Sequence, residues 1–332
     1  MNDSSRSALI TLSIAAVERD TGLSKDTLRV WERRYGFPTP GRDAVGERAY
    51  ALEQVEKLRL VKRLLDAGHR PGRIVQMETA ALQLLADQTV DQPLRSAEAL
   101  ADASDLRELL ALIRGHDVPQ LRTVLTRLLA RRGVARFVTE VVAPLNAAVG
   151  DAWIRGQMEV FEEHAYTELV QTVLRQAIAA IPPGADEGHP RVLLTTFPHE
   201  PHGLGLLMAE AVFTLEGCPC VSLGVQTPVW DVVLAATAYR ADIVALSFTG
   251  CLNPNQVVEG LTELARKLPP GVQVWAGGAA PVLHRRSVPG VLAVASLEGL
   301  ASHLRAWRSA SPAGSRAWPA QAGGVAGPSL ES

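Results

Sequence analysis

Apolar residues along the chain follow two periods, and the place where one gives way to the other divides it. Up to about residue 180 the spacing is helical throughout, whereas from 190 to 308 short β-branched runs alternate with helical stretches. At the amino-terminal side, Ser13 is placed to cap a short helix over 14–20, Thr21-Gly22-Leu23 makes a tight turn, and Ser24 caps a second helix over 25–34. Leu28 and Trp31 fall on one face of that second helix, where they predict core positions, and Arg29, Arg33 and Arg34 are left outside. A Gly- and Pro-containing stretch follows, then a helix beginning near Leu52, with Val55, Leu58, Leu60, Val61, Leu64 and Leu65 in helical register, ending at Gly68. Another helix is predicted from about Arg70 into the 80s, and Gln92-Pro93 with Ser96 marks a linker.

Residues 96–182 contain no strand pattern. Four helical stretches, about 103–114, 118–131, 133–155 and 159–180, are joined by short turns at Gly115-His116 and Gly156-Gln157, which predicts an antiparallel four-helix bundle. Pro182-Pro183-Gly184 opens a polar linker to Pro190. Strands are then expected at 191–196, 219–225, 242–248, 272–277 and 290–296, with helices at 204–216, 228–239, 254–267 and 297–308. That alternation predicts a flavodoxin-like (Rossmannoid) parallel five-stranded sheet, so the fold class is multidomain α and α/β. The expected units are a flexible amino terminus (1–9), a helix-turn-helix unit (10–92), a helical bundle (96–182), an α/β unit (190–308) and a disordered Ala-, Gly-, Pro- and Ser-rich tail (309–332).

Composition narrows the class. With 332 residues and 47% hydrophobic content the chain can build two or three proper cores. No run of 18 uncharged apolar residues and no signal-like start occur, so the expectation is a cytoplasmic protein with no membrane partner. Cys218, Cys220 and Cys251 are odd in number and lack a zinc spacing, and Cys218 and Cys220 are expected to pack at a strand start. The net charge of −2 is unevenly spread: residues 1–75 hold 14 Lys and Arg against 10 Asp and Glu, which makes the amino-terminal unit the candidate for a polyanion.

Two sets of motifs carry the chemistry. After the first α/β strand comes Glu200-x-His202-x-x-Gly205; 41 intervening residues lead to Ser247-Phe248-Thr249, and 27 more separate Thr249 from Gly277-Gly278. An imidazole is a good ligand for a transition metal, and a carboxylate on its second nitrogen fixes the tautomer and raises basicity. The three parts in register resemble the E-x-H-x-x-G, S-x-L and GG motifs of cobalamin-binding domains. The resemblance implies that His202 replaces the lower ligand of cobalt with help from Glu200, and that Gly205, Ser247, Thr249, Gly277 and Gly278 receive the displaced nucleotide tail. Thr249 departs from the Leu of that pattern. In the bundle, Trp153 followed by Glu163 and His164 spells W-x9-E-H, which resembles the CarH/LitR family, where this group encloses the upper, adenosyl face of the corrin. Residue 154 is Ile, which cannot ligate cobalt where light-responsive relatives can carry a His.

At the amino-terminal side, Trp31-Glu32-Arg33-Arg34-Tyr35-Gly36-Phe37-Pro38, with Arg42, Arg48 and Tyr50 beyond it, is similar to the winged helix-turn-helix of the MerR family. That likeness implies recognition-helix contacts from Lys25, Thr27, Arg29 and Arg33, wing contacts from Arg42 and Arg48, and Tyr50 against the DNA backbone. Together the likenesses cover about residues 10–308 and imply a cobalamin-dependent, light-responsive transcriptional regulator, expected to be a repressor. Adenosylcobalamin, or methylcobalamin, would control a homo-oligomer, dimer or tetramer, on double-stranded promoter DNA. Three other readings stand beside it. An enzyme would need a separate substrate barrel, for which no residues remain. A regulator working without cobalamin, through a partner protein or another tetrapyrrole, is compatible with Thr249 and Ile154. A binding module without a DNA role leaves Arg29, Arg33, Arg42 and Arg48 unexplained.

Overall fold

The computed structural model describes residues 11–43, 45–90, 102–182 and 190–310. The expected flexible segment 1–9, the linkers near 92–96 and 183–189, and the expected tail beyond 310 lie outside the described residues. The first unit runs β1 (Thr11–Ser13), α1 (Ile14–Thr21), α2 (Lys25–Tyr35), β2 (Gly41–Arg42), β3 (Arg48–Ala51), α3 (Leu52–Asp66), α4 (Pro71–Ile74) and α5 (Thr79–Val90). Ser13 and Ser24 cap their helices as the sequence predicts, each side chain accepting from the backbone N–H three residues on, Ala16 and Thr27. The strands form one antiparallel sheet in the order β1-β3-β2, with β2 and β3 as the wing hairpin. Leu28 and Trp31 are buried with Val17, Tyr50, Val55, Leu58 and Leu64 in a single core. The helix expected from about Arg70 is two helices, because a turn at 75–78 separates α4 from α5.

The second unit contains α6 (Asp102–Arg114), α7 (Val118–Arg136), a π-helical stretch (Phe137–Val142), α8 (Ala143–Ile154) and α9 (Val160–Ala179). Gly133 at φ 73 and ψ 164 breaks the helical path of α7, which is the boundary expected between 131 and 133. Leu121, Leu125, Phe137, Val142, Leu145, Tyr166, Val170 and Leu174 are among the residues that close the bundle core.

The third unit alternates β4 (Val192–Thr195), α10 (Leu204–Leu215), β5 (Cys220–Ser222), α11 (Val229–Ala238), β6 (Ile243–Ser247), α12 (Pro254–Lys267), β7 (Gln273–Gly277), α13 (Val282–Arg285), β8 (Val291–Val294) and α14 (Leu297–Ala310). All its strands are parallel, in the order β5-β4-β6-β7-β8. The chain therefore leaves β4 to one side and returns to β6 on the other, which puts a topological switch point between them. Helix α10 is buried on two sides. Leu206 and Phe213 belong to the sheet layer, and Leu204, Leu207, Met208 and Ala211 belong to the bundle core. The bundle is thus seated on the helix that begins right after His202.

Candidate functional site

The loop between β4 and α10 carries Glu200 and His202 out of the carboxyl end of the sheet at the switch point, the crevice where open α/β sheets hold ligands. Glu200 is fully buried, and its carboxylate is surrounded by donors. His202 Nδ1 lies 2.6 Å from Oε1, the Thr249 backbone N–H donates to Oε2 at 2.8 Å, and the Thr249 hydroxyl reaches both oxygens at 3.0 and 2.9 Å. Burial alone would raise Glu200, but the hydrogen bonds from His202 and Thr249 outweigh it and hold the carboxyl below its usual range. The Cys251 thiol and the Glu200 carboxylate, both facing Nδ1, push the imidazole up to about 10. With Nδ1 committed inward, Nε2 is the nitrogen left to a half-exposed ring, whose side chain is 52% exposed.

Thr249, which departs from the pattern the sequence resembles, has a definite place here. Its hydroxyl and N–H both brace the acid that braces the imidazole. Cys251 was not singled out by spacing. The structure brings its Sγ to 4.0 Å from His202 Nδ1 and 3.8 Å from the His199 carbonyl, so that Glu200, His202 and Cys251 offer ligand atoms within 4.8 Å of one another. Its only sequence signal is its place two residues beyond Thr249. Because Glu200 and Nδ1 already satisfy each other, the donor turned outward is one imidazole nitrogen rather than a three-ligand chelate.

Ser247 closes β6, and Gly277 and Gly278 end β7 beside it. A methyl group at Gly205 would come within 2.4 Å of Ser247 Oγ, and one at Gly278 within 2.2 Å of the Phe248 carbonyl oxygen. At Gly278, with φ 109, the ends of β6 and β7 approach as closely as backbone allows, and only glycine permits it, whereas at Gly205 the start of α10 packs on the Ser247 hydroxyl. The residues present fit a large ligand held from one side by an imidazole, since a buried acid orients His202 with Nε2 turned outward and small residues lie beside it at the strand ends.

In the bundle, Trp153 is half-buried in the last turn of α8, and Glu163 and His164 follow in the first turns of α9. Glu163 accepts from the Thr167 hydroxyl at 2.7 Å, and His164 Nε2 lies 3.7 Å from the other Glu163 oxygen. His164 is exposed.

On the first unit, Lys25, Thr27, Arg29 and Arg33 all lie on α2, with Arg29 and Arg33 exposed and Lys25 and Thr27 half-buried, and Arg42 is exposed on the wing. Lys25 and Arg29 meet Glu18 at 3.5 Å and Asp26 at 3.1 Å, while Arg42 donates to the Gly46 carbonyl and shapes the wing turn. One expectation changes and one gains a partner. Tyr50 is not at the DNA backbone: it is fully buried in the unit's core, and its hydroxyl has no partner among the described residues. Arg48 lies on the wing strand as expected and is also braced on α2 through Glu32 at 2.8 Å. The cause is shared, because residues two apart on a strand point to the same side, and for β3 that side faces the helices.

Comparison with known proteins gives the following. A model of the MerR HTH family regulatory proteins matches residues 12–80, and B12 binding domain models match 190–299 and 105–178. The HTH-type transcriptional repressor CarH of Myxococcus xanthus is 33% identical over 265 residues, covering 80% of this chain and 87% of that protein. The repressor CarA of the same organism is 30% identical over 284 residues, covering 84% and 90%. Among solved structures, the Methanosarcina barkeri monomethylamine corrinoid protein is 14% identical with a TM-score of 0.49, covering 60% of this chain and 96% of that one. A cobalamin-binding protein of Desulfitobacterium hafniense DCB-2 is 17% identical with a TM-score of 0.31, covering 61% and 98%.

Proposed function

The chain belongs to the family of the HTH-type repressors CarH and CarA and is a cobalamin-dependent transcription regulator, and from that premise we propose that it is a light-responsive repressor controlled by adenosylcobalamin. The observation that carries the reading is the buried Glu200 carboxylate that holds His202 with one ring nitrogen turned outward at the switch point. His202 would hold the cobalt through Nε2, Glu200 and Thr249 would keep its orientation, and Ser247 with the glycines at 205, 277 and 278 would lie beside the nucleotide portion of the cofactor. Trp153 would offer a broad apolar ring to the bound cofactor, and Glu163 and His164 would offer acceptor and donor groups to its sugar. Adenosylcobalamin, when bound, supplies a light-cleavable cobalt–carbon bond.

The protein's own part is to convert what packs on Trp153 into association of the bundles. Linked readers on a repeated operator gain effective concentration, so a dimer or tetramer grips promoter DNA where a single reader does not. A ligand shifts that equilibrium only by the difference in its affinity for the two assembly states. The upper group matters more than the tail, since it alone differs between darkness and light.

The test is direct. Purified chain is loaded with adenosylcobalamin in darkness, desalted, and followed by absorption, sedimentation and operator binding before and after green illumination. A coloured, assembled, DNA-retaining dark form that dissociates in light is expected. A preparation that loses its colour on desalting, or that grips the operator equally in both conditions, overturns the reading.

A further inference from the structure

The cap and the DNA reader are not merely tethered by a linker. Ile154, the last residue of α8 and the neighbour of Trp153, packs its side chain against the reader's hydrophobic core, the cluster built on Val17, Leu28, Trp31 and the α3 leucines. Around it two polar contacts cross between the units. Arg63 Nη1 on α3 donates to the Trp153 carbonyl at 3.4 Å, and Gln83 Nε2 on α5 donates to the Arg155 carbonyl at 2.9 Å. Carbonyls at a helix end attract cations and donors, so Arg63 meets a site already polarised to receive it. Position 156 keeps the approach open: a methyl group on Gly156 would lie 2.5 Å from Arg63 Nη1. Just beyond the same end of α3, a methyl group on Gly68 would lie 3.3 Å from the carbonyl oxygen of Gly250, the residue after Thr249. One end of a reader helix thus touches both the turn that carries Trp153 and the loop that braces Glu200.

We propose that the 153–156 turn is the docking element by which the cobalamin cap grips the DNA reader of its own chain, with Ile154 as the plug and Arg63 and Gln83 as the clasps. The inference rests on the reading above in that it takes Trp153 to cover the cofactor. Ile154 follows Trp153 on the same helical turn, so a shift of the turn that carries the indole also shifts the plug. The reader's pose and the upper face of the cofactor site then form one mechanical unit, a physical contact that both sites bias. Arg63, Gln83 and Ile154 are positioning residues: their contacts join the reader to the cap.

Amide hydrogen exchange on the full chain without cofactor tests the docking. In Ile154→Asp and, separately, Gln83→Ala, segments 79–88 and 153–157 are expected to exchange about tenfold faster than in the parent, while β4 and β6 stay protected. Gln83→Ala removes one clasp without touching the reader's core or straining the backbone, so it serves as the measure if Ile154→Asp loosens the reader throughout. Unchanged exchange in Gln83→Ala, or in both variants, overturns the docking, whatever the cap does. A second measurement tests the coupling. With adenosylcobalamin bound and retained equally, the dark-to-light ratio of operator affinity should fall toward one in both variants. A parent that responds to light with variants that keep its full ratio overturns the coupling, whereas a parent indifferent to light overturns the proposed function and leaves the docking to the exchange result.

Discussion

A carboxylate shut away from solvent is ordinarily driven to take up a proton, yet Glu200 is held ionised because four donors converge on its oxygens: the ring and backbone N–H of His202 and the hydroxyl and backbone N–H of Thr249. That makes the acid the part of the site most sensitive to a small change. Glu200→Gln keeps shape and an acceptor, but it places an amide N–H where Thr249 or His202 now donates. Loss of such an outer partner typically costs about 10–100-fold in affinity for a metal held by the imidazole, and equilibrium dialysis with cobalamin in darkness should show a loss of that order. An affinity equal to the parent's would mean that the tautomer of His202 is not set by this pair. Tyr50 gives the opposite kind of test. Its hydroxyl is buried with no partner among the described residues, and an unsatisfied group of that kind carries a penalty of about 1–3 kcal/mol. Tyr50→Phe is therefore expected to leave thermal stability equal or higher and operator affinity unchanged by fluorescence anisotropy. A weaker complex would return the residue to the DNA surface.

At the scale of the element, the features readable in the sequence are those with a local cause. Ser13 and Ser24 cap helices because a side-chain oxygen three residues ahead of a free N–H is a local arrangement, and Gly133 ends a helical path because its backbone, at φ 73 and ψ 164, takes a conformation that other residues avoid. Gly133→Ala is expected to lower the unfolding free energy of the bundle by about 1–3 kcal/mol, read as a lower midpoint in thermal or urea denaturation. An unchanged midpoint would show that the break tolerates a side chain. What escaped was set by partners distant in sequence. β1 is a three-residue strand that exists only because β3 pairs with it, and the burial of Tyr50 follows from the side of β3 that meets the helices. The spacing of Glu200, His202, Ser247 and Gly277 was legible because strand-loop-helix units of regular length put those positions at one sheet end. The roles of Thr249 and Cys251 were not, since nothing local tells a hydroxyl or a thiol to turn toward an imidazole.

For the molecule as a whole, the question is how many cations the operator finds. The ion pairs of Lys25 with Glu18 and Arg29 with Asp26 lie on the surface, where such pairs are worth about 0–1 kcal/mol, so a phosphate can replace the carboxylate at little cost. Arg48 and Glu32 are more enclosed and join the wing to α2, so that pair should persist on DNA. The two kinds of arginine then separate in a salt titration. Each phosphate contact contributes about 0.9 to the slope of log K against log salt, so Arg42→Ala should flatten the slope by about one for every reader engaged. Arg48→Ala should weaken binding through the wing's position while leaving the slope close to the parent's. A flattening as large as that of Arg42→Ala would make Arg48 a phosphate ligand after all. The same slope counts readers. If cobalamin-loaded bundles bring several winged units onto one operator in darkness, the dark slope is a multiple of the single-reader slope, and illumination should reduce it as units leave. Equal slopes in darkness and light, at different affinities, would place the light response inside each reader's pose rather than in the number of readers bound, which is the outcome that the contacts of Arg63, Gln83 and Ile154 with the cap would then have to explain alone.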